Sequence, residues 1–395
     1  MEQKFVLPSD CFVWRKGEDI LVYNAATKAH VEAKVTDARI GEFCDHMDDL
    51  SKLNTDILDE ADQANAPFTA FIDSLVAAGC GRVCPGDAWV FSLPARPFVN
   101  HNVERMQQEG ASAAETLRLL ETETIYLGGK HRENEWYRQQ AYPFPSKVCP
   151  SADEVLDFIS RSDSGNALGV IFVVADGNDK RLPVLSEARK GRPARFVFSP
   201  ESWWGNVQYL HKIAEDGHEL ALSMSPGDIA RFRDGGASLA GEVRPELVTF
   251  MIDGPLTLES AETIMPAIGA KRQNFVPVWN DNKEFFEEQV LLSKEEILSS
   301  CESKRNIFIH QLINVNYWGT LALFPDGSVY SDVNRAPLGK IWEDVHALIQ
   351  KELFSQNAWR RVREEGRCAG CVFQWLCPPP GAAEALSGLS ACNGR

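Results

Sequence analysis

The run ALGVIFVVAD, residues 167–176, is apolar at nearly every position until its final aspartate. A strand that alternates apolar and polar buries one face, whereas one apolar throughout must be covered on both, the mark of a parallel sheet flanked by helices. The neighbouring sequence agrees. Upstream, TIYLG (124–128) reads as a strand, and SADEVLDFISR (151–161), opened by a Ser151–Glu154 capping box just after Pro150, reads as a helix. Downstream, RFVFS (195–199), HELALSM (218–224), VTFMIDG (248–254) and NFVPVW (274–279) alternate with the helical stretches WWGNVQYLHKIAEDG, IARFRDGG and SAETIMPAIGA. About six βα units over residues 104–300, introduced by a helical stretch at 104–121, predict an α/β fold in the form of a partial (β/α)6 barrel.

Chemistry in such sheets sits beyond the carboxyl ends of the strands. Asp176, Met224 and Asp253 fall there, but no Ser-His-Asp order, HExxH pair, Walker loop or GxGxxG turn accompanies them, and YLGGK reads as a tight turn. Independent catalysis by Asp176 or Asp253 is the least favoured reading. The chain sets 40 Lys and Arg against 56 Asp and Glu, a formal charge of -16 that repels phosphate backbones and anionic lipid, so neither nucleic acid nor membrane is an expected partner. MEQKFVLPSD lacks the pattern of a secretion signal and no apolar run reaches spanning length. The expected location is cytoplasmic, where ten cysteines are thiols or metal ligands rather than disulfides.

Before the barrel, residues 8–90 open with CFVWR (11–15), DILVY (19–23) and HVEAKV (30–35), which read as a small meander. Asp37 caps a helix through Met47, a second helix is expected over 55–63, and Pro67 opens a third that Gly79 closes, with Phe68, Phe71, Ile72, Leu75 and Val76 on one face. After the barrel, residues 303–395 hold the apolar run IFIHQLI (307–313), a hairpin signal around Pro325-Asp326-Gly327, a helix over 341–354 and the segment RCAGCVFQWLC (367–377). There Cys368 and Cys371 form a knuckle. With Cys377 and, fifteen residues further on, Cys392, it can offer four thiolates to one metal centre, under apolar cover from Val372, Phe373, Trp375 and Leu376. Four thiolates suit zinc and an iron-sulfur cubane alike. Cys11, Cys44, Cys149 and Cys301 stand alone as small buried hydrophobes, and Cys80 and Cys84 read as structural.

The spacing Cys-x2-Cys-x5-Cys with a distant fourth cysteine, after GTLALFPDGSVYSDVNRAPLGKIWEDV, resembles the SPASM extension of radical SAM peptide-maturing enzymes. The resemblance implies that Cys368, Cys371, Cys377 and Cys392 bind one 4Fe-4S cluster, with zinc as the alternative. It also implies that a first auxiliary cluster is lost, because two of its ligand positions are Asp332 and Gly381 here. A radical SAM enzyme needs CxxxCxxC after the first barrel strand, so that one iron stays open to S-adenosylmethionine. Residues 129–149 contain only Cys149, and VVADGND stands where a GGE-like segment belongs, so no SAM site is expected. YPFPS (142–146) is similar to the segment that follows the lost triad.

Residues 8–90 resemble the winged-helix RiPP recognition element. That implies a leader peptide added at the edge of the third strand (Val31, Ala33, Val35) and resting on the third helix (Phe68, Phe71, Leu75). As a whole, the chain resembles the pseudo-radical-SAM/SPASM proteins of Bacteroidales peptide-maturation systems with double-glycine leaders. The resemblance implies a catalytically inactive homologue that binds a precursor peptide and assists an active radical SAM/SPASM partner, an electron-transfer subunit being the alternative.

Overall fold

The computed structural model describes residues 2–93, 101–128, 149–163, 168–235, 239, 242–355, 357–389 and 392; the YPFPS segment lies outside them. The amino-terminal meander forms where its alternation places it. After a short strand β1 (Gln3–Val6), strands β2 (Cys11–Lys16), β3 (Asp19–Asn24) and β4 (His30–Lys34) pair antiparallel in the order β2-β3-β4. Alternate side chains point to opposite faces, and both faces are covered. Ile20 and Val22 join Phe43, Phe68, Phe71 and Leu75 in one core. From the other face Phe12, Leu21 and Tyr23 pack against Ile297, Ile307, Val372, Leu376 and Cys377 of the carboxyl-terminal region.

The helix Ala38–Asp48 is capped by Asp37 as the sequence predicts. The helix expected over 55–63 is instead a strand, β5 (Thr55–Leu58), followed by the helix Glu60–Ala64, which an Asp59–Asp62 capping box starts. β5 and β6 (Arg82–Pro85) flank β1 in a second three-stranded sheet. In the helix Ala66–Ala77, Phe68, Phe71, Ile72 and Leu75 are buried, whereas Val76 faces solvent.

The parallel sheet follows the apolar runs. β7 (Thr122–Tyr126), β8 (Gly169–Val174), β9 (Ala194–Phe198), β10 (Glu219–Met224), β11 (Leu247–Ile252) and β12 (Arg272–Pro277) lie side by side in chain order, each neighbouring pair parallel. An order that never reverses is the winding of a partial barrel, not of a doubly wound sheet. The hairpin, expected in a separate carboxyl-terminal unit, joins this sheet. β13 (Thr320–Leu323) pairs parallel with β7, and β14 (Ser328–Tyr330) and β15 (Gly339–Lys340) follow antiparallel, making nine strands. One face carries Ile125, Phe172, Phe196, Leu222 and Val248 into the main core. The opposite face carries Tyr126, Val173, Phe324 and Tyr330, together with a charged bar in which Glu219 lies 2.9 Å from Arg195 and 2.5 Å from Arg272.

The helix predicted over WWGNVQYLHKIAEDG is broken into Pro200–Gly205 and Val207–Glu215. Asn206, between them, is buried; its Nδ2 donates to Asp176 O and its Oδ1 accepts from Asp179 N, both at 2.8 Å, which fixes the loop after β8. A Cβ on Gly205 would stand 2.5 Å from Gly177 Cα, where only backbone could give way. Gly205→Ala is therefore expected to lower stability by about 1–3 kcal/mol. The check is a reduced denaturant midpoint at an unchanged slope.

Candidate functional site

Three of the four expected thiols are wound on consecutive tight turns. Cys368 lies in the short helix Gly366–Ala369, Cys371 N donates to Cys368 O at 3.1 Å, Gln374 N to Cys371 O at 3.2 Å, and Cys377 N to Phe373 O at 3.2 Å. Cys392 returns to the body of the protein through an isolated parallel bridge with Leu292. The four share one neighbourhood. Burial pushes the Cys377 thiol up to about 12, with Cys392, Cys371 and Cys368 adding to the rise, and burial also raises Cys371. All are free thiols, and among the described residues no three His, Cys, Asp or Glu side chains converge closely enough to hold a metal ion.

In kind the donor set fits a thiolate-bound metal. The four thiols lie under apolar cover, and a buried cation stands beside one of them: Arg363 Nη1 donates to Cys368 Sγ at 3.5 Å. Glu384 holds that guanidinium through hydrogen bonds of 2.9 and 2.7 Å, and Pro378 O accepts from its Nε. A fixed positive charge there offsets the negative charge that four thiolates would gather.

The two positions implied to have lost cluster ligands are tied together by protein groups. Asp332 is buried with Oδ2 3.2 Å from Arg361 Nη2, and Arg361 in turn lies over the Tyr317 ring, 5.4 Å from its centroid. Asn314 Nδ2 donates to Arg361 O at 3.0 Å and to Pro380 O at 2.9 Å, while Asn316 Nδ2 donates to Pro379 O at 3.0 Å, next to Gly381. An ion pair and two amides thus join these segments.

At the carboxyl end of β7 a guanidinium spans the strand ends. Arg181 pairs with Asp179 at 2.7 Å and donates to Pro150 O at 3.0 Å and to Leu127 O. Cys149 stands nearby as a thiol raised by burial, which Arg181 partly opposes. The carboxylates singled out from the sequence have structural duties. Asp253 accepts from Thr257 Oγ1 and from Asn280 Nδ2, the latter at 3.3 Å, whereas at Asp176 it is the backbone carbonyl, not the carboxylate, that accepts from Asn206. Met224 is a fully buried core residue.

The edge of β4 is open: among the described residues its only neighbour is β3. Bonds from Asn24 N to Ala29 O and from Val35 N to Glu18 O fix the parity of the ladder, so residues 31, 33 and 35 turn their backbone to β3. His30, Glu32 and Lys34 turn theirs outward. This corrects the expected set: the side chains of Val31, Ala33 and Val35 pack inward, and Phe68, Phe71 and Leu75 are core, so a ligand at this edge meets His30, Glu32 and Lys34 instead. The inward alternation of Val31 and Ala33 is the signal from which the outward residues could have been read. A groove of about 530 Å³ opens beside the edge, with Ile20, Glu32 and Lys34 on one wall and Cys371 and Phe373 on the other. Lys294 crosses it; its ammonium pairs with Glu32 and lies 5.5 Å from the Phe373 ring centroid.

Among the described residues no helix is long and apolar enough to cross a membrane. No family model and no curated protein matches the chain. Among solved structures it is similar to Streptococcus suis SuiB bound to the precursor peptide SuiA, at 10% identity and a TM-score of 0.39 over 94% of each chain. It is likewise similar to Streptococcus suis SuiB bound to S-adenosylmethionine, at 9% identity and a TM-score of 0.38 over 94% of each chain. Likeness this distant assigns neither family nor activity.

Proposed function

We propose that this chain holds a ribosomally made precursor peptide along β4 and presents it to an active radical SAM/SPASM enzyme, without cleaving S-adenosylmethionine itself. The observation that carries the reading is the open edge of β4. Outward N–H and C=O groups at three alternate residues match the backbone of an extended polypeptide, which can displace water there and add as a further strand. The barrel supports a scaffold role, because the segment after β7 brings a single cysteine, Cys149, where an open iron would require three thiolates. A metal bound by Cys368, Cys371, Cys377 and Cys392, a 4Fe-4S cluster on the resemblance and zinc as the alternative, would cross-link the knuckle to the carboxyl-terminal tail. Iron, sulfide and zinc analysis of the purified protein separates the two.

The test replaces Glu32 twice. Glu32→Pro removes one outward N–H while leaving the bonds to β3 intact, which an edge strand tolerates, and Glu32→Ala keeps that N–H. Titration of the precursor peptide should show binding weakened about tenfold by proline, roughly one lost hydrogen bond with its steric cost, and by much less with alanine. Equal affinities for the two variants would move the peptide off this edge. Formation of 5′-deoxyadenosine by the iron-reconstituted chain alone would overturn the non-catalytic half of the proposal.

A further inference from the structure

We infer that Cys11 and Cys80 are a dithiol that closes to a disulfide, so that the hold of the amino-terminal unit on its β3–β4 turn depends on the thiol–disulfide poise under which the chain folds. In the sequence Cys11 stands alone and Cys80 is grouped with Cys84. The fold regroups them. Cys84 donates to Lys4 O at 3.5 Å, while Cys80 turns into the core that also holds Cys11. Asn24 marks their meeting point. It lies directly opposite Cys11 in the β2–β3 ladder, its N–H donates to Ala29 O at 2.8 Å, and its Nδ2 donates to Gly79 O at 2.9 Å. Cys80 Sγ donates to the same Ala29 O at 3.7 Å, and the Cys11 thiol is hydrogen-bonded to Cys80. Sulfurs in contact satisfy the main demand that a disulfide makes of a backbone, which is proximity. Neither thiol lines the groove beside β4, so the inference stands apart from the peptide reading.

The shared hydrogen bond raises the Cys11 thiol, which burial raises further, and lowers Cys80 against the opposing effect of burial. Cys80 thus supplies the thiolate that attacks a small-molecule disulfide, of which glutathione disulfide is the probe used below. One glutathione thiolate leaves as the mixed disulfide forms, and Cys11, giving up its proton, displaces the second. The two cysteines lose two electrons, one S–S bond is exchanged for another, and two glutathione thiols are released. Cys80 is fully buried and Cys11 is 2% exposed, so the exchange runs while the unit folds and the finished bond is shielded from reductant. The bond would join the first residue of β2 to the turn after the helix Ala66–Ala77. It would enclose β3, β4 and that helix in one covalent loop, with Ala29, the residue before β4, beside the link. Closing so long a loop removes much chain entropy from the unfolded state.

The experiment uses the full chain, unfolded under reducing conditions and refolded in glutathione buffers stepped from reducing to oxidising. Thiols are then trapped by alkylation in denaturant, and unreduced digests are read by mass spectrometry. The expected product is the Cys11 and Cys80 peptides joined and lighter by two hydrogens. Cys44, in the same core and also 2% exposed, is the internal control and should carry the alkyl group throughout. Free Cys11 and Cys80 at every poise would overturn the inference, as would Cys44 linked to either as often as they are linked to each other. On the refolded chain, amide hydrogen exchange of Val31 and Ala33, which bond to β3 just past the turn, should slow about tenfold once the link is closed and recover when it is reduced. Exchange that ignores the link would overturn its hold on the turn. Cys80→Ser should abolish the response and Cys44→Ser should leave it intact; a response that survives Cys80→Ser belongs to another pair and overturns the assignment.

Discussion

Glu352→Ala is expected to destabilise the chain by about 3–5 kcal/mol, the cost of leaving two buried N–H donors unsatisfied at about 1–3 kcal/mol each. Glu352 is fully buried in the helix Val345–Ser355, where Oε1 accepts from Ala358 N and Trp359 N, each at 2.7 Å, and Oε2 accepts from Ser331 Oγ. Alanine would leave two buried N–H groups without this acceptor. The damage would spread, because Trp359 is itself fully buried, donates from Nε1 to Thr320 O at 2.9 Å and accepts from Asn314 N at 2.7 Å. One carboxylate therefore anchors the turn that secures both the hairpin and the Asn314 network. Glu352→Gln keeps an acceptor and should lose only about 1–2 kcal/mol. Denaturant titration of the three proteins checks the order, and an alanine variant within 1 kcal/mol of the parent would refute the assignment.

Stability should also fall as pH rises from about 4.5 through 7, and Glu123 is the reason. This residue lies on the helix-covered face of β7, fully buried, with neither carboxyl oxygen in hydrogen-bonding geometry. Burial raises its pKa from the model-compound value of 4.5 to about 7, against a smaller opposing pull from Ser162, Arg189 and Arg161. An acid whose folded pKa exceeds its unfolded pKa keeps its proton longer in the folded state. Its favourable contribution is complete below the unfolded pKa and is lost as pH climbs through the folded one. A shift of this size corresponds to roughly 3 kcal/mol. Glu123→Gln should remove most of that slope and be the more stable protein at pH 8. Parallel stability curves for parent and variant between pH 5 and 8 would rule Glu123 out as the cause.

Much of the architecture is legible because its signals are local. Phe172, Val173 and Val174 declare a strand covered on both sides, Asp37 and Ser151 declare helix starts, and the cysteine spacing declares a knuckle. What the sequence hides is non-local. TDIL is too short to separate a strand from a helical turn until β1 pairs with it. Asn206 breaks a helix only because Gly177 comes close to Gly205 across the loop after β8. The helical spacing of Phe68, Phe71 and Leu75 reveals that they share a face, but nothing local says that the meander's own core covers it. The groove is hidden for the same reason, since Glu32 and Phe373 meet only after the whole chain has folded between them.

The pairing of β13 with β7 has a consequence for biosynthesis. The strands are roughly 200 residues apart, so during translation β7 must wait, one border unzipped, until the chain through Leu323 has cleared the ribosome. A truncated product would leave β7 as a raw, adhesive border of its largest sheet, and a chaperone would find its natural foothold there.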